Sequence, residues 1–334
     1  YRFLRTFLKI ALISVAFILA GALALSRSWS QFRGPNATGI DNTHPLPTSW
    51  NVKSGEKVLW RTPIPGISHA SPVIWGDHVY IGTAVQIGDS NARKQSNVIY
   101  DDAVNEWRIL ALDKATGKVI WNEMICAGVP KVMRHNTSTH WNPTPATDGK
   151  HIISIFSAEG MYCHDTFGRK LWHVDLGAMD AGYYQMPSMQ WGFGSSPTIV
   201  DGKVVVLCDV QKGSYLAVFS ILDGLQIWRT PRSDVPTSGT PIVIQVNGRK
   251  QIVVNGMRHT GAYDFETGRE IWKYDGAPAG DLPNPTPVHG HELLFFTASH
   301  GYGSPVRAIR DNASGDISLQ EAGVPKDRPH DPRL

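Results

Sequence analysis

The chain has 334 residues, of which 42% are apolar and 18% are charged. This composition excludes a disordered polypeptide, because there is enough apolar surface to bury a large core. Four basic residues and no acidic residue lie in the first 28 positions, and the rest of the chain has 28 basic against 29 acidic residues. A nearly neutral body excludes general nucleic-acid binding, which requires a basic face. Three cysteines are too few for a disulfide scaffold.

The N-terminal segment has the composition of an export signal. Three basic residues lie within residues 1–9, and residues 10–25 are apolar or small apart from Ser14. The small residues Ala22 and Ala24 supply a cleavage site, so the pattern predicts a secretory signal. An uncleaved signal anchor is the alternative, in which case this segment is the chain's contact with the membrane. We therefore assign residues 1–28 to a signal peptide or signal anchor and expect the body to be exported.

A short phrase recurs along the body, in which a turn glycine is followed four residues later by tryptophan. The copies Asp113–Trp121 and Asp264–Trp272 share the full pattern Asp-x-x-Thr-Gly-x-x-x-Trp. A second phrase, Ser/Thr-Pro before a β-branched run, precedes each full copy, and its last four prolines are 52, 44 and 46 residues apart. A period of ~45 residues is typical of propeller blades. The repeat predicts structural docking positions at Trp60, Trp121, Trp172, Trp228, Trp272, Gly117, Gly168, Gly224 and Gly268.

Each repeat has the features of a four-stranded sheet. Apolar β-branched runs such as Val204–Leu207 indicate strands, and Asp201-Gly202 and Asn247-Gly248 between such runs predict hairpin turns. A single sheet of this kind cannot bury its faces, whereas sheets stacked radially can. We therefore predict an all-β fold, a β-propeller of four-stranded blades with tryptophan-docking motifs. We assign residues 29–68 to an N-terminal extension and first strand and residues 69–319 to about five blades. Residues 320–334 form an irregular tail.

The repeats resemble the tryptophan-docking repeats of quinoprotein β-propellers. The phrases Trp29–Gly39, Leu59–Gly66 and Ser71–Tyr80 are also similar to those of exported bacterial proteins with pyrroloquinoline-quinone-binding-like propeller repeats. The resemblance implies a ring of seven or eight blades. Because only about five units are present and the pattern ends after Ile309, we expect an incomplete ring. The same repeat occurs in quinoprotein dehydrogenases and in the non-enzymatic propeller lipoprotein of the outer-membrane barrel assembly machine.

The resemblance also sets out what a dehydrogenase would need. It implies a quinone held between a tryptophan and a disulfide of adjacent cysteines, beside Ca²⁺ and an aspartate base. No two of Cys126, Cys163 and Cys208 are adjacent. We therefore expect no catalytic, cofactor-binding or metal-binding residue. Pyrroloquinoline quinone is expected as a cofactor only if the protein is instead a quinone-dependent dehydrogenase.

Recognition is the function that the loops favour. The segments before the Ser/Thr-Pro phrases are rich in aromatic residues and histidine, and as loops of one channel mouth they suit a protein, peptide or small-ligand surface. The candidate residues are His140, Trp141, Tyr184, Trp191 and Tyr302. The other interpretation is that the tryptophans simply cover blade edges. We expect a non-catalytic scaffold that binds envelope proteins or peptides. It is either free in the periplasm or anchored in the membrane and facing the periplasm. The alternative is a quinone-dependent dehydrogenase or a degenerate relative of one.

Overall fold

The computed structural model describes residues 28–42, 45–90, 93–95, 97–275, 282–298 and 306–318. The predicted export segment before Ser28, the candidate Tyr302 and the tail 320–334 lie outside these residues. No helix in the described part of the chain has the length and apolar character needed to span a membrane.

The described chain is built from strands joined by short turns, with two 3-10 helices at Pro35–Ala37 and Ser157–Glu159. The strands are β1 (Val73–Trp75), β2 (His78–Ile87), β3 (Arg93–Gln95), β4 (Val98–Tyr100), β5 (Val104–Asp113), β6 (Val119–Gly128), β7 (Arg134–His135), β8 (Ala146–Thr147), β9 (His151–Ile155), β10 (Met161–Asp165), β11 (Lys170–Val174), β12 (Gly182–Tyr183), β13 (Met186–Gln190), β14 (Thr198–Val200), β15 (Lys203–Cys208), β16 (Tyr215–Ser220), β17 (Gln226–Pro231), β18 (Ile242–Val246), β19 (Arg249–Val254), β20 (His259–Asp264), β21 (Glu270–Asp275), β22 (Val288–Gly290), β23 (Leu293–Phe296), β24 (Arg307–Arg310) and β25 (Gly315–Asp316).

The strands form successive antiparallel sheets that follow the sequence repeat. Three of them have four strands, in the orders β1-β2-β5-β6, β8-β9-β10-β11 and β14-β15-β16-β17, and a fourth has the order β18-β19-β20-β21 with β25 added beside β21. In the first three blades the fourth strand is largely exposed whereas the second and third are largely buried, so the fourth strand is their outer edge. The four-stranded blades predicted from the repeat are therefore confirmed. A fifth sheet has three described strands, β22-β23-β24, and β25 pairs in parallel with β21 instead.

The turns have the local geometry that their residues favour. Asp201 and Gly202 both have positive φ, 49° and 70°, as a tight hairpin between β14 and β15 requires. In the Asp-x-x-Thr-Gly turn, the backbone N–H and the hydroxyl of Thr116 donate to Oδ1 of Asp113 at 2.7 and 2.6 Å. These hydrogen bonds hold the pKa of the Asp113 carboxyl below its ordinary value. The first strand predicted within residues 29–68 is not found in the described part of that segment, which makes only isolated bridges, and Lys57 has a positive φ of 55°.

Four of the repeat tryptophans lie over the glycine of the following copy. Trp60 lies on Gly117, Trp121 on Gly168, Trp172 on Gly224 and Trp228 on Gly268. Each indole Nε1 donates to a carbonyl in the turn that it covers, at 2.9 to 3.1 Å. These four side chains are half-buried, not buried as a core residue would be, because they cover the outer edge of the next blade. Trp272 differs: it is buried and its Nε1 has no partner.

The Ser/Thr-Pro phrases form a chain of hydrogen bonds from blade to blade. The N–H of Ser71 donates to Oγ1 of Thr144 at 3.0 Å, and the N–H of Thr144 donates to Oγ of Ser196 at 3.0 Å. The N–H of Ser196 then donates to Oγ1 of Thr240 at 3.1 Å. At the next position, the buried Oγ1 of Thr286 has no hydrogen-bond partner among the described residues. The hydroxyl in this phrase is thus a connector between neighbouring blades.

The N-terminal segment crosses the first strands of successive blades. Trp29 pairs with Ile74 of β1 through two backbone hydrogen bonds of 2.8 and 2.9 Å. The carbonyl of Ser30 accepts a hydrogen bond from the backbone N–H of Thr147 in β8, at 2.8 Å. The side-chain Oε1 of Gln31 accepts one from the backbone N–H of Ile199 in β14, at 3.3 Å. The following 3-10 helix contacts β18. One short segment therefore holds four blades together.

Candidate functional site

The loops that carry the Ser/Thr-Pro phrases meet at one end of the blades, which we call the mouth: residues 68–71, 138–144, 191–196, 236–240 and 282–286. Two additions to the blades lie beside it. One is the small sheet β3-β4-β7 and the other is the hairpin β12-β13, and β13 contacts both β4 and β7. The mouth is therefore the part of the molecule where the chain departs most from a plain repeat.

Trp141 lies in the core, not at the surface. It is fully buried, stacks on Phe156 with ring centroids 4.7 Å apart, and donates from Nε1 to the carbonyl of Pro143 at 2.9 Å. Its indole occupies the space that a side chain on Gly82 of β2 would need. Trp141 is therefore not exposed at the mouth, where the sequence analysis expected a recognition residue.

His140 is also interior, with 3% of its surface exposed. Its Nε2 lies 2.6 Å from Oδ2 of Asp101, which also accepts from Nε of Arg134 at 2.8 Å. Burial works to raise the pKa of Asp101, but the hydrogen bond with His140 and the charge of Arg134 hold it below its ordinary value. This arrangement ties the mouth loop to the chain after β4, and it leaves His140 buried, not exposed at the surface of the mouth.

Trp191 does lie at the surface of the mouth, with 40% of its area exposed. One face of its ring stacks on His135 at 4.7 Å with an angle of 22°. Its carbonyl accepts from Oγ of Ser138 and from Nδ2 of Asn142, the latter at 2.8 Å. Three contacts therefore fix the position of this indole.

Tyr184 lies on the neighbouring hairpin and is half-buried. Its ring meets the edge of Tyr183 at 5.0 Å, and its hydroxyl accepts from Nε2 of Gln185 at 2.8 Å. Next to it, the side chain of Met186 is 53% exposed. Of the sequence candidates, the structure thus places Tyr184 and Trp191 where a partner could reach them.

A cleft of about 370 Å³ opens between the hairpin and the mouth loops. It is lined by Ala181, Gly182, Tyr183, Trp191, Gly192, Pro236, Thr237, Ser238, Leu282 and Asn284. None of these side chains carries a charge. Of this set, only Trp191 is among the candidates from the sequence, because Thr, Ser and Asn in loops give no signal that they converge.

A buried ion cluster lies behind Thr237. Arg232 donates through Nε and Nη2 to both carboxylate oxygens of Asp209, at 2.9 and 3.0 Å, and through Nη2 to Asp234 at 3.0 Å. All three side chains are fully buried. Burial raises the pKa of Asp209 to about 6. The charge of Arg232 acts to lower this pKa, and the charge of Asp234 acts to raise it further. The cluster joins the chain after β15 to the chain after β17, and Oγ1 of Thr237, which lines the cleft, donates to Oδ2 of Asp209 at 3.4 Å.

The cysteines and acids form no metal or redox centre in the described part of the chain. No group of three His, Cys, Asp or Glu side chains there could hold a metal ion. Cys126, Cys163 and Cys208 are all free. Burial raises the pKa of Cys126 to about 11 and that of Cys163 to about 12, so these thiols stay protonated at neutral pH.

Comparison with known proteins agrees with the repeat. Residues 159–316 match the family model described as outer membrane protein assembly factor BamB. The chain carries quinoprotein-type propeller repeats. No curated protein sequence matches it significantly.

The solved structures of two dehydrogenases share the fold at low sequence identity. A europium-containing methanol dehydrogenase is 13% identical with a TM-score of 0.52, and covers 83% of this chain and 55% of its own. The quinohemoprotein alcohol dehydrogenase of Comamonas testosteroni is 12% identical with a TM-score of 0.51, covering 89% and 51%. BamB of Moraxella catarrhalis is 15% identical with a TM-score of 0.44, covering 78% of each chain. The chain spans about half the length of the two dehydrogenases.

The propeller repeat raises the question of pyrroloquinoline quinone, and the lining of the cleft at the mouth does not fit this cofactor. The quinone is a tricarboxylate, and its three charges need cations or many hydrogen-bond donors when they leave water. The cleft at the mouth has no basic side chain. The cysteines that would form the family's adjacent-cysteine disulfide lie on three separate strands, β6, β10 and β15.

Proposed function

We propose that the protein is an exported, non-catalytic propeller that binds protein partners in the bacterial cell envelope. The observation that carries this proposal is the hairpin β12-β13, an addition to the blades that presents the half-buried Tyr184 and the exposed Met186 beside the mouth. Support comes from the family model that matches residues 159–316, whose description names an outer membrane assembly factor.

The chemistry of the hairpin suits a protein interface. Tyrosine buries a large area at low entropic cost and often dominates binding energy, while methionine adapts to partners of different shape. Because the body of the chain is almost neutral, long-range attraction contributes little. Partners are then held by close aromatic and polar contacts, so their binding depends weakly on salt.

A quinone-dependent oxidoreductase is the second candidate function, favoured by the fold shared with two dehydrogenases. It is weakened by the uncharged cleft and by the separated cysteines. The two functions predict different outcomes for one preparation of protein, because only the oxidoreductase reduces a dye when given quinone, Ca²⁺ and an alcohol.

Site-specific photo-cross-linking tests the proposal. A photoreactive residue is placed at Tyr184 or Met186, and at Trp50 as a matched control, since Trp50 is 63% exposed and belongs neither to the mouth loops nor to the lining of the cleft. We expect a defined envelope protein to cross-link from the hairpin and not from Trp50. Equal cross-linking from all three positions, or substrate-dependent dye reduction with stoichiometric quinone, would overturn the scaffold function.

A further inference from the structure

The cleft beside Trp191 combines an aromatic wall with uncharged polar groups. Its apolar part is formed by the rings of Trp191, Tyr183 and Pro236, and its polar part by Thr237 and Ser238 together with an amide. A ligand with a net charge would lose its hydration there without meeting a counter-charge, which is unfavourable. The volume of about 370 Å³ lies in the range of ordinary ligand sites. The ligand of this cleft is therefore small and neutral.

The aromatic wall is fixed before any ligand arrives. The ring of Trp191 is held from one side by His135, and its carbonyl is held by Ser138 and Asn142. His135 is fixed in turn, since its Nδ1 lies 2.7 Å from Oγ1 of Thr137. Side chains that are already held in place lose little conformational entropy when a ligand binds. A ligand that makes only weak contacts requires such a site, because it gains little energy to offset that entropy loss.

The polar rim can both donate and accept hydrogen bonds. The side chains of Thr237 and Ser238 are hydroxyls, and that of Asn284 is an amide. The Thr237 hydroxyl donates to Oδ2 of the buried Asp209 at 3.4 Å and so offers the cleft an acceptor, whereas the side chains of Ser238 and Asn284 can each donate. The backbone N–H of Ser238 donates to Oδ1 of Asn284 at 3.2 Å, which orients the amide and leaves its NH₂ group as a donor. Such a rim matches a ligand whose own polar groups are hydroxyls.

We propose that this cleft binds a neutral saccharide, with a sugar ring against Trp191 and its hydroxyls on Thr237, Ser238 and Asn284. A pyranose has an apolar C–H face and a rim of hydroxyls, so it complements both parts of the cleft. An extended peptide fits less well, because it would need an open strand edge. The nearest edge, at Gly182 of β12, is already used by Nε2 of Gln211 at 2.6 Å. This inference goes beyond the proposed protein scaffold and does not depend on it.

Titration of the full chain with saccharides tests the inference. The probes are hexasaccharides of glucose in α-1,4 and β-1,4 linkage and of N-acetylglucosamine, with an oligogalacturonate as the charged probe and a proline-rich peptide as the peptide probe. We expect one or more neutral saccharides to bind and the charged probe to fail. Trp191→Ala and Asn284→Ala should each weaken binding at least tenfold, whereas Trp50→Ala should leave it unchanged.

Three results would overturn the inference. They are no binding of any neutral saccharide by folded protein, equal affinities of Trp191→Ala and Trp50→Ala, or preferential binding of the peptide. Circular dichroism and the unfolding midpoint establish that each variant is folded. The scaffold proposal is tested separately, because substituting Met186 should reduce cross-linking to the protein partner and leave saccharide affinity unchanged.

Discussion

Single hydroxyls connect the blades at the mouth, and this gives a sharp test at the scale of one residue. Oγ1 of Thr240 accepts the buried N–H of Ser196, whereas Oγ1 of Thr286 has no partner although it occupies the same place in its own phrase. Thr240→Val keeps the shape and leaves a buried donor unsatisfied, so it should reduce the free energy of unfolding by about 1–3 kcal/mol. Thr286→Val, the matched control, should be neutral or stabilising. Urea unfolding measures both, and equal effects would show that the hydroxyl chain does not connect the blades.

The ion cluster makes a second residue-scale prediction, which concerns pH. The pKa of Asp209, about 6 in the folded protein, is above its unfolded value near 4. Its charged form therefore costs stability above pH 6, and this cost disappears as the pH falls from about 6 to about 4. Arg232→Met leaves two buried carboxylates without a cation and should cost about 3–5 kcal/mol at pH 7. Part of that loss should be recovered at pH 5, which urea unfolding at both pH values will measure; an equal loss at both would contradict the assignment.

The limits of sequence reasoning are clearest for single aromatic residues. Trp141 and Trp191 occur in similar polar loops, so the sequence treats them alike. The structure separates them because Gly82, which lies far away in the chain, leaves a space that only Trp141 fills. No local pattern reports such a pairing. The serine or threonine of each Ser/Thr-Pro phrase recurs visibly in the sequence. Its role is visible only in the structure, because each hydroxyl accepts a hydrogen bond from a neighbouring blade.

At the scale of elements, the strands and turns were predictable because their signals are local. Asp-Gly turns and Asp-x-x-Thr-Gly turns satisfy their own backbone, as Asp113 and Thr116 show. The first strand predicted within residues 29–68 is absent because a strand also needs a partner, which no local signal reports. Around Trp60 no neighbouring strand pairs with the segment in the described chain; Nε1 of Trp60 and Oγ1 of Thr62 instead donate to carbonyls of the first blade, at 2.9 and 2.6 Å.

The N-terminal segment is the element with the most testable role, because it crosses four blades within about ten residues. Gly34 has φ of 69°, and a Cβ there would lie 2.5 Å from Cε3 of Trp29. Gly55 has a similar φ of 79° with open space around it. Both Gly→Ala variants therefore carry the same backbone strain, of about 1 kcal/mol or more, and only Gly34→Ala also displaces Trp29. We expect Gly34→Ala to be the more destabilising by about 1–3 kcal/mol and to expose β1 to hydrogen exchange. Equal losses would mean that the segment does not hold the blades.

At the scale of the whole molecule, the blades form a series whose last described contact differs from the others. Four tryptophans dock on the next glycine, but Gly315 has nothing within 4 Å of its Cβ position, and Nε1 of Trp272 has no partner. The parallel pairing of β25 with β21 takes the place of that contact. The apolar core also differs along the series. Its largest buried cluster lies between the second and third blades, which it joins through residues such as Ile153 and Val204.

Stability in such a series is the sum of each blade and its contacts with its neighbours, so it should vary along the chain. The second and third blades contact a neighbour on both sides, whereas β22-β23-β24 lacks a fourth described strand and a docked tryptophan. Hydrogen exchange followed by mass spectrometry should therefore show the slowest amides in β9, β10, β15 and β16, and faster exchange in β23 and β24. Thr240→Val should accelerate exchange most in the third and fourth blades, which its hydroxyl connects, and least in the first. Uniform exchange across all blades would show that the molecule unfolds as a single cooperative unit, and that the contacts between blades are stronger than the blades themselves.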